Sequence, residues 1–487
     1  MSLKGIGTWI DDRLHVQSMF ASTMGHHVPL SSASWWYVFG SATMVCLILQ
    51  LLTGICLAVV YVPAPDQAFQ SLEYLNYQQP LGWFLRAIHF WGSNFMVGLM
   101  TIHMIQVFLF GAYKYPRELT WLMGCLLFLL TLGAAFTGQV MRFDQDAYWG
   151  LGIGVSIMGR VPLIGEYLIF GLLGGPVLAA ETLTRFYSLH VFLIPGLLIG
   201  VLAIHLRLVF TRGINDYPVP GKGAYPDTYD EEYEQLVEKE GIRFFPEGAD
   251  KDVLFSAFVL LAIFCCAIFL GPKGPNGPAD PTLIHTAPRP DFYFLSLFAV
   301  LALLPPYMET TIILYVLPVF VVLLFLVPFI AGTGEKHPSR RPGAVVGVIL
   351  VMTILSTLAW LGITSPWSPH MSAWSGVPTP IEMVKDRSPL ELQGAALIQA
   401  KQCRNCHSLD GKGGKRGPDL TDVATRLTEN QLIRQVLQGG GNMPAYGKHL
   451  RPEEVTALVS FMRTLHPANQ PPARNSAVPA KPGAYPR

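Results

Sequence analysis

The sequence predicts an all-α polytopic membrane protein with about seven spanning helices and a small soluble helical domain near its C-terminal end. Of its 487 residues, 51% are hydrophobic and only 14% are charged, whereas a soluble protein usually carries about a quarter charged residues. Long apolar runs recur until about residue 365, and the chain then becomes polar. The formal net charge of +1 gives no indication of a nucleic-acid partner.

Seven apolar runs reach the length of about 20 residues that a helix needs to cross a bilayer. They lie at roughly 35–62, 83–111, 118–140, 184–210, 252–271, 308–331 and 343–364. Two shorter runs, VPLIGEYLIFGLL and FYFLSLFAVLALL, have 13 residues each and are predicted to be interfacial helices. The first 20 residues are amphipathic and include two adjacent acids, so we expect a surface helix and no cleavable signal peptide.

These runs divide the chain into six predicted segments. The membrane part consists of a four-helix domain and a three-helix domain, joined by a polar linker that we expect to be a solvent loop. A second linker leads to the soluble domain and a Pro/Ala-rich tail, which its composition predicts to be disordered. The predicted bounds are 1–212, 213–251, 252–365, 366–387, 388–467 and 468–487.

The distribution of Lys and Arg predicts the orientation in the membrane. The loop at 63–82 has neither residue, whereas the turn at 112–117 and the connection GTGEKHPSRRPG are basic. We therefore expect the basic loops and the N-terminus on the cytoplasmic side (n-side). Seven crossings then place the soluble domain on the opposite side (p-side), which is periplasmic or extracellular in a prokaryotic cell.

Four histidines lie within the second and fourth predicted spans, where ionisable residues are functional candidates. His89 and His103 are 14 residues apart, and His190 and His205 are 15 apart. At 1.5 Å per residue each interval is about 21 Å, close to four turns, so both members face one side of their helix. The two helices run in the same direction, so His89 should meet His190 near the p-side, and His103 should meet His205 near the n-side.

Each predicted histidine pair can bind one haem iron, which gives two non-covalent b haems. Two imidazoles leave no open coordination position, which suits electron transfer. The first and third spans carry glycines 14 residues apart, which would let a flat macrocycle approach the backbone. The alternatives are close helix packing for the glycines and hydrogen-bonded core positions for the histidines. The glycines are Gly40, Gly54, Gly124 and Gly138.

The stretch KQCRNCHSLDGKGG contains a covalent haem attachment motif, Cys403, Cys406 and His407. Half of a zinc site is the alternative, but no second Cys pair follows. Met443 in GGGNMPAYG is the expected sixth ligand, because Met462 has the apolar periodicity of a core helix. Over residues 388–467 the domain resembles small class I cytochromes c, in which a loop like Gly417–Leu420 passes the haem.

Over about residues 5–365 the chain resembles the cytochrome b subunit of quinol-oxidising cytochrome bc complexes. The segments RAIHFW, PRELTW, TLTRFYSLH and LGAAFTGQVMRFDQDAYWG carry this resemblance. The 15-residue interval and the polar break resemble the photosynthetic and Gram-positive branch, where cytochrome b6 and subunit IV are separate chains; here they are fused. That branch binds an extra haem through a Cys at the position of Val38, so a third membrane haem is not predicted.

The resemblance also implies roles for residues outside the histidine pairs. Arg86 would pair with a propionate of the p-side haem and Arg117 with one of the n-side haem; the alternative for both is an interfacial arginine. The segment PRPDFYF stands where the family has Pro-Glu-Trp-Tyr in its quinol-oxidation pocket. Asp291 would accept a quinol proton beside Tyr293, and its alternative role is to cap the following helix.

The resemblance and the haem motifs together predict a fused cytochrome b and c subunit of a quinol:cytochrome c oxidoreductase. The family implies a Rieske iron–sulfur protein, membrane lipids, quinol and quinone as partners, with a cytochrome c or terminal oxidase as acceptor. It also implies a homodimer within a larger, proton-translocating complex. Two alternatives stay open: a quinone-reactive b-type anchor of a dehydrogenase, and a membrane electron-transfer protein with no quinone site.

Overall fold

The computed structural model is predominantly helical. It describes residues 3–15, 18, 24–65, 67–174, 180–279, 289–304, 306–364, 378–401, 403–413, 417–439, 443, 446–447 and 450–474. In these ranges seven helices are long and apolar enough to cross a membrane, which confirms the predicted number. Membrane helices 1 to 7 are Val38–Ala58, Gly82–Leu109, Glu118–Met141, Glu181–Arg212, Asp250–Leu270, Ile312–Ala331 and Pro342–Thr364.

Membrane helices 1 to 5 share one apolar core. Helix 1 packs along helix 2, helix 3 packs along helix 4, and helix 5 lies against helices 1 and 2. Small side chains at the contacts, such as Ala42, Cys46, Ala87 and Ala267, are fully buried and let the backbones approach closely. Large apolar side chains point outward, with Phe269 80% exposed, as expected of a surface that faces lipid.

Membrane helix 4 contains one π-helical turn, Leu189–Leu193, which includes His190. A π-turn accommodates one extra residue within an α-helix. The 15-residue interval between His190 and His205 therefore spans the same number of helical turns as the 14-residue interval between His89 and His103. This turn explains how unequal intervals can position histidines at matching levels.

Short helices flank the membrane bundle. The amphipathic segment near the N-terminus forms Leu3–Leu14, and the two 13-residue apolar runs contain helices Gly165–Leu173 and Phe292–Leu303. The last of these crosses membrane helix 7 closely, since a Cβ at Gly362 would lie 2.7 Å from the carbonyl oxygen of Leu295. The connections also contain helices Ala68–Tyr77 and Gln145–Met158.

The linker at 213–251 is folded, which differs from the expected solvent loop. It contains helix Tyr229–Glu240 and two short strands, Gly223–Ala224 (β2) and Gly241–Arg243 (β3). β3 pairs with His27–Pro29 (β1) and β2 pairs with Gly334–Glu335 (β4), both antiparallel.

A buried ion pair explains why the linker packs closely although it is polar. Lys336 donates hydrogen bonds to Asp216 and, over 3.2 Å, to Asn215, and all three side chains are almost inaccessible. Buried charges are stable only when they are paired and hydrogen-bonded. Composition alone predicted the polarity of the linker but not this long-range partner.

The C-terminal domain is a small helical bundle. Its helices are Ile381–Val384, Pro389–Ala400, Val423–Arg426, Glu429–Gln438 and Pro452–Arg463, and a two-stranded ribbon pairs Ser408–Leu409 (β5) with Lys412–Gly413 (β6). Met383 and Val384 pack on its core, so the domain begins several residues before 388. Ala473 donates to the carbonyl of Ala424 over 2.7 Å, so the tail residues up to 474 lie against the domain, while 475–487 are outside the described residues.

Candidate functional site

The structure brings His89 and His190 together inside the bundle. Their ring centroids are 6.3 Å apart and the ring planes are inclined by 78°. A histidine nitrogen lies about 2 Å from a metal that it ligates, so two imidazoles on opposite sides of one iron have centroids about 6 Å apart. The pair therefore has the separation that a bis-histidine haem site requires.

Each of the four histidines lies against one of the four predicted glycines. A Cβ at Gly138 would be 2.6 Å from Cε1 of His190, and one at Gly54 would be 3.2 Å from Cε1 of His89. Gly40 faces His103 and Gly124 faces His205 in the same way, at 3.1 and 3.6 Å. The absence of a side chain at these positions makes room for the imidazole rings, because helices 1 and 3 pass directly behind them. That the glycines also admit a macrocycle stays a prediction.

Threonines beside two of these glycines set the protonation of the p-side pair. Thr53 Oγ1 lies 2.9 Å from Nδ1 of His89 and donates its own hydrogen to the carbonyl of Leu49 over 2.6 Å. Thr137 Oγ1 likewise lies 3.1 Å from Nδ1 of His190 and donates to the carbonyl of Gly133. Since each hydroxyl has one hydrogen, it must accept from Nδ1–H, which leaves both Nε2 atoms free to bind iron.

The second pair lies deeper toward the other end of the bundle. His205 donates from Nδ1 to the carbonyl oxygen of Thr120 over 3.1 Å, so its Nε2 is also unprotonated. His103 lies near enough to His205 to interact with it electrostatically. Within the described residues, the buried Nδ1 of His103 has no hydrogen-bond partner.

One cavity connects the p-side histidine pair with the predicted quinol residues. It is lined by His89, His190, Asp291 and Tyr293, together with apolar side chains from helices 1 to 4. Four polar side chains that line it have buried nitrogen or oxygen atoms without hydrogen-bond partners in the described part of the chain: Gln50, Thr131, Gln139 and Arg142. In native proteins nearly all buried polar atoms form hydrogen bonds, so this cavity is suited to a bound group that carries polar atoms at its edge.

The Asp291 carboxylate has two partners in this cavity. Oδ1 forms a 2.8 Å ion pair with Nζ of Lys273, and Oδ2 accepts a 3.2 Å hydrogen bond from the hydroxyl of Tyr293. Asp291 is the N-cap residue of helix Phe292–Leu303, yet its side chain makes no capping hydrogen bond. The contacts therefore favour the role at the cavity over the alternative capping role.

Tyr293 is held as a neutral hydrogen-bond donor. Burial, together with the neighbouring Asp291 carboxylate, raises the pKa of Tyr293 well above its ordinary value. Loss of its proton would place a second negative charge beside the carboxylate without solvation. The phenol therefore stays protonated and keeps its hydroxyl directed at Asp291.

The two predicted arginines have different surroundings. Arg86 lines the same cavity and donates to Asn76 Oδ1 over 2.6 Å and to the backbone carbonyls of Lys273 and Gly274. Arg117 donates to the carbonyls of Arg212 and Gly213, both over 3.0 Å. Arg212 is the last residue of membrane helix 4 and Gly213 is its C-cap, so Arg117 caps that helix, and its pairing with a haem remains a prediction.

The attachment motif in the C-terminal domain is oriented for iron binding. His407 Nδ1 donates to the carbonyl of Pro418 over 2.7 Å, which leaves Nε2 free. A Cβ at Gly417 would lie 2.5 Å from Cε1 of His407, so the loop that begins there passes directly over the ring. Cys403 lies one turn before His407 and Cys406 directly precedes it, and neither forms a disulfide, so both sulfurs are positioned for thioether bonds. Burial lowers the pKa of His407, which favours the neutral imidazole that a metal binds.

Met443 is described, although the residues on either side of it at 440–442 and 444–445 are not. Its sulfur lies 3.6 Å from Nε2 of Gln435, on the helix that precedes the loop. Met462, the alternative methionine, is buried in the core of the domain, as its periodicity predicted. Met443 as the sixth ligand therefore stays a prediction. The side chain of Met462, the competing candidate, is packed in the core of the domain.

Four side chains at the sites were not identified from the sequence. Thr53 and Thr137 could have been found, because the dipeptide Thr-Gly recurs at the same position of spans 1 and 3. Lys273 and Arg142 lie in connections between spans, where no periodicity indicates a direction. Only the folded chain brings them to the cavity.

Comparisons with known proteins agree with this geometry. The family model "Cytochrome b/b6/petB" matches residues 24–213, and the model "Cytochrome C oxidase, cbb3-type, subunit III" matches residues 390–462. Cytochrome b6 of Heliobacterium modesticaldum is 37% identical over 43% of this chain and 98% of its own length. Cytochrome b of Allochromatium vinosum is 30% identical over 73% of this chain and 87% of its own length.

A solved structure is also similar. A chain of a hyperthermophilic respiratory Complex III superposes with a TM-score of 0.63 at 27% identity, covering 74% of this chain and 91% of that one. The similarity thus extends over the membrane helices as a set and is not limited to the histidine motifs. It supports a membrane-bound electron-transfer role for the whole N-terminal part.

Proposed function

Since the chain belongs to the cytochrome b family and carries a C-terminal cytochrome c domain, we propose that it is the fused b and c subunit of a quinol:cytochrome c oxidoreductase. The family and the domain make it a multi-pass membrane oxidoreductase subunit with haem b and haem c as cofactors. The proposal adds the substrate, the number of haems and the direction of electron flow.

The observation that carries the proposal is the shared cavity. Asp291 and Tyr293 line the same cavity as His89 and His190, so a quinol bound beside the carboxylate would be adjacent to the first electron acceptor. The apolar lining from helices 1 to 4 suits a lipid-soluble ring and excludes water. A dehydrogenase anchor or a plain electron-transfer protein needs no carboxylate at that position.

In the proposed reaction, one residue of the cavity accepts the quinol proton and the others hold that acceptor in position. The Asp291 carboxylate accepts the proton of a quinol hydroxyl, and its 2.8 Å contact with the Lys273 ammonium fixes the position of that carboxylate. Tyr293 orients the second carboxylate oxygen through its hydrogen bond. Arg86 donates hydrogen bonds to the backbone carbonyls of Lys273 and Gly274, which fixes the segment that carries the lysine side chain.

The haem sites follow from the histidine geometry. His89 and His190 would hold the p-side b haem, His103 and His205 the n-side b haem, and Cys403, Cys406, His407 and Met443 the covalent c haem. When bound, these groups carry single electrons: the b haems across the membrane to an n-side quinone, and the c haem to the exit. Arg117 is proposed to stabilise the n-side haem region by capping membrane helix 4.

Partners and location complete the proposal. The second electron of quinol requires a one-electron acceptor outside this chain, for which a Rieske iron–sulfur protein is proposed. The basic loops support a cytoplasmic N-terminus and a c domain on the periplasmic or extracellular side of a prokaryotic membrane. We further propose a homodimer within a larger proton-translocating complex, with a cytochrome c or terminal oxidase as acceptor.

Purification of the assembly and measurement of quinol:cytochrome c turnover test this function. The proposal predicts quinol-dependent reduction of the covalent haem and co-purification of an iron–sulfur protein. Reduction of the b haems without the c haem would indicate the dehydrogenase-anchor alternative. Failure of quinol to reduce any haem would indicate the electron-transfer protein without a quinone site.

A further inference from the structure

Arg142 is a third cation in the p-side cavity, beside Arg86 and Lys273, and the sequence does not explain its role. It follows membrane helix 3 and lines the cavity together with the p-side histidines. Its Nε and one terminal nitrogen, Nη2, are buried and have no hydrogen-bond partner among the described residues. Buried N–H groups without acceptors are unfavourable, so these two groups are suited to an acceptor that enters the cavity.

The nearest acid does not satisfy Arg142. Asp144 Oδ2 lies 3.7 Å from Arg142 Nε, too far for a hydrogen bond. Both oxygens of this fully buried carboxylate already accept other hydrogen bonds, from the backbone N–H of Ala147 over 2.9 Å and from that of Asn276 over 3.0 Å. Asp144 therefore offsets part of the positive charge of Arg142 but accepts no hydrogen bond from its Nε.

Arg86 differs from Arg142 in this respect. Both terminal nitrogens of Arg86 donate to acceptors within the chain, namely Asn76 and two backbone carbonyls. The resemblance implied Arg86 as the haem-pairing arginine, yet the contacts show that its terminal N–H groups hold the 273–274 loop. Of these two arginines, Arg142 is the one whose buried nitrogens have no hydrogen-bond partner among the described residues.

We propose that Arg142 binds a propionate carboxylate of the b haem held by His89 and His190. A guanidinium presents N–H groups in a planar fork that matches the two oxygens of a carboxylate. The two propionates are the only carboxylates that a haem carries, and the cavity joins Arg142 to both histidine ligands. This inference rests on the proposed haem site.

The charge of Arg142 should then influence the p-side haem electrostatically. Reduction adds an electron, so a propionate that is not neutralised disfavours the reduced state. Arg142→Gln removes the charge and keeps polarity and approximate length. The redox equilibrium constant of the p-side haem should fall by about tenfold, which corresponds to a decrease of about 59 mV for a one-electron couple.

Redox titration of the b-haem absorbance bands in the purified complex measures this effect. His205→Leu, which removes the n-side haem, identifies the signal of the p-side haem. The expected result is a lower potential for that haem alone in Arg142→Gln and a smaller decrease in Arg142→Lys, which keeps the charge but loses the fork. Arg160→Gln is the matched control: this arginine donates to Thr310 and does not line the cavity.

Several outcomes would overturn the inference. An unchanged p-side potential combined with a raised KM for quinol would place the guanidinium on the substrate. Equal effects of Arg142→Gln and Arg160→Gln on both b haems would indicate a general structural role. If Arg142→Gln does not assemble, an unchanged potential in Arg142→Lys contradicts the proposal. If the wild-type complex shows no quinol turnover while Arg142→Gln still lowers the p-side potential, the proposed function is refuted and this inference stands.

Discussion

Asp291→Asn tests the role of the carboxylate in the cavity. The substitution keeps shape and polarity but removes the base that we propose accepts a quinol proton. A positioned general base contributes about 10²–10⁴-fold to rate, so turnover should fall at least about tenfold even if water substitutes in part. A tenfold decrease corresponds to about 1.4 kcal/mol of transition-state stabilisation.

The same substitution should change stability little. It breaks the ion pair with Lys273, but that lysine side chain is 33% exposed, so the lost interaction is worth only about 0–1 kcal/mol. The amide oxygen of Asn can still accept from Tyr293. Asp291 contacts none of the proposed haem ligands, so all haems should remain bound and the b-to-c absorbance ratio should be unchanged.

Steady-state quinol:cytochrome c turnover, normalised to b haem, measures the effect. Asp291→Glu serves as the matched control: it restores the residue usual in the family, and we expect substantial activity with an altered pH optimum. Wild-type turnover in Asp291→Asn would show that the carboxylate accepts no quinol proton and would remove the residue from the catalytic site. A decrease accompanied by loss of haem would likewise contradict it, because the structure separates Asp291 from the ligands.

Three further predictions concern the haems. A pyridine haemochrome assay should give b and c haem at about 2:1, since each histidine pair holds one haem; a ratio of 2:2 would mean a second covalent haem and would contradict our reading of Val38. His205→Leu should remove the n-side b haem alone, which optical titration would show as the loss of one of two b signals; loss of both would contradict independent sites. Met443→Ala should lower the potential of the c haem and leave both b spectra intact. An unchanged c potential would place the ligand elsewhere, with His449, which lies outside the described residues, as the next candidate.

Periodicity predicted the parts of the site that lie on long helices. The 14- and 15-residue intervals indicated which histidines face each other, because a helix of known rise converts spacing into position. They did not reveal the π-turn at Leu189–Leu193, which reconciles the unequal intervals. The intervals also did not show that the glycines accommodate imidazole rings, since this depends on how helices 1 and 3 pass behind the ligands.

Contacts between distant connections could not be predicted in the same way. Lys273 and Asp291 are 18 residues apart in irregular segments, and Arg142 reaches the cavity from another connection. The Lys336–Asp216 pair joins segments 120 residues apart. Such pairs depend on the tertiary arrangement, because loop sequences carry no repeat that fixes a direction. For the same reason the sequence left the capping role of Asp291 open.

The most direct test of the central claim is the distribution of electrons in the first turnover. Rapid mixing of quinol with the oxidised complex, followed optically at the b and c bands, would count electrons on each branch. We expect equal numbers on the b haems and on the iron–sulfur and c haem branch, because one quinol bound beside Asp291 delivers one electron to each. Electrons that appear only on the b haems, or only on the c haem, would contradict it.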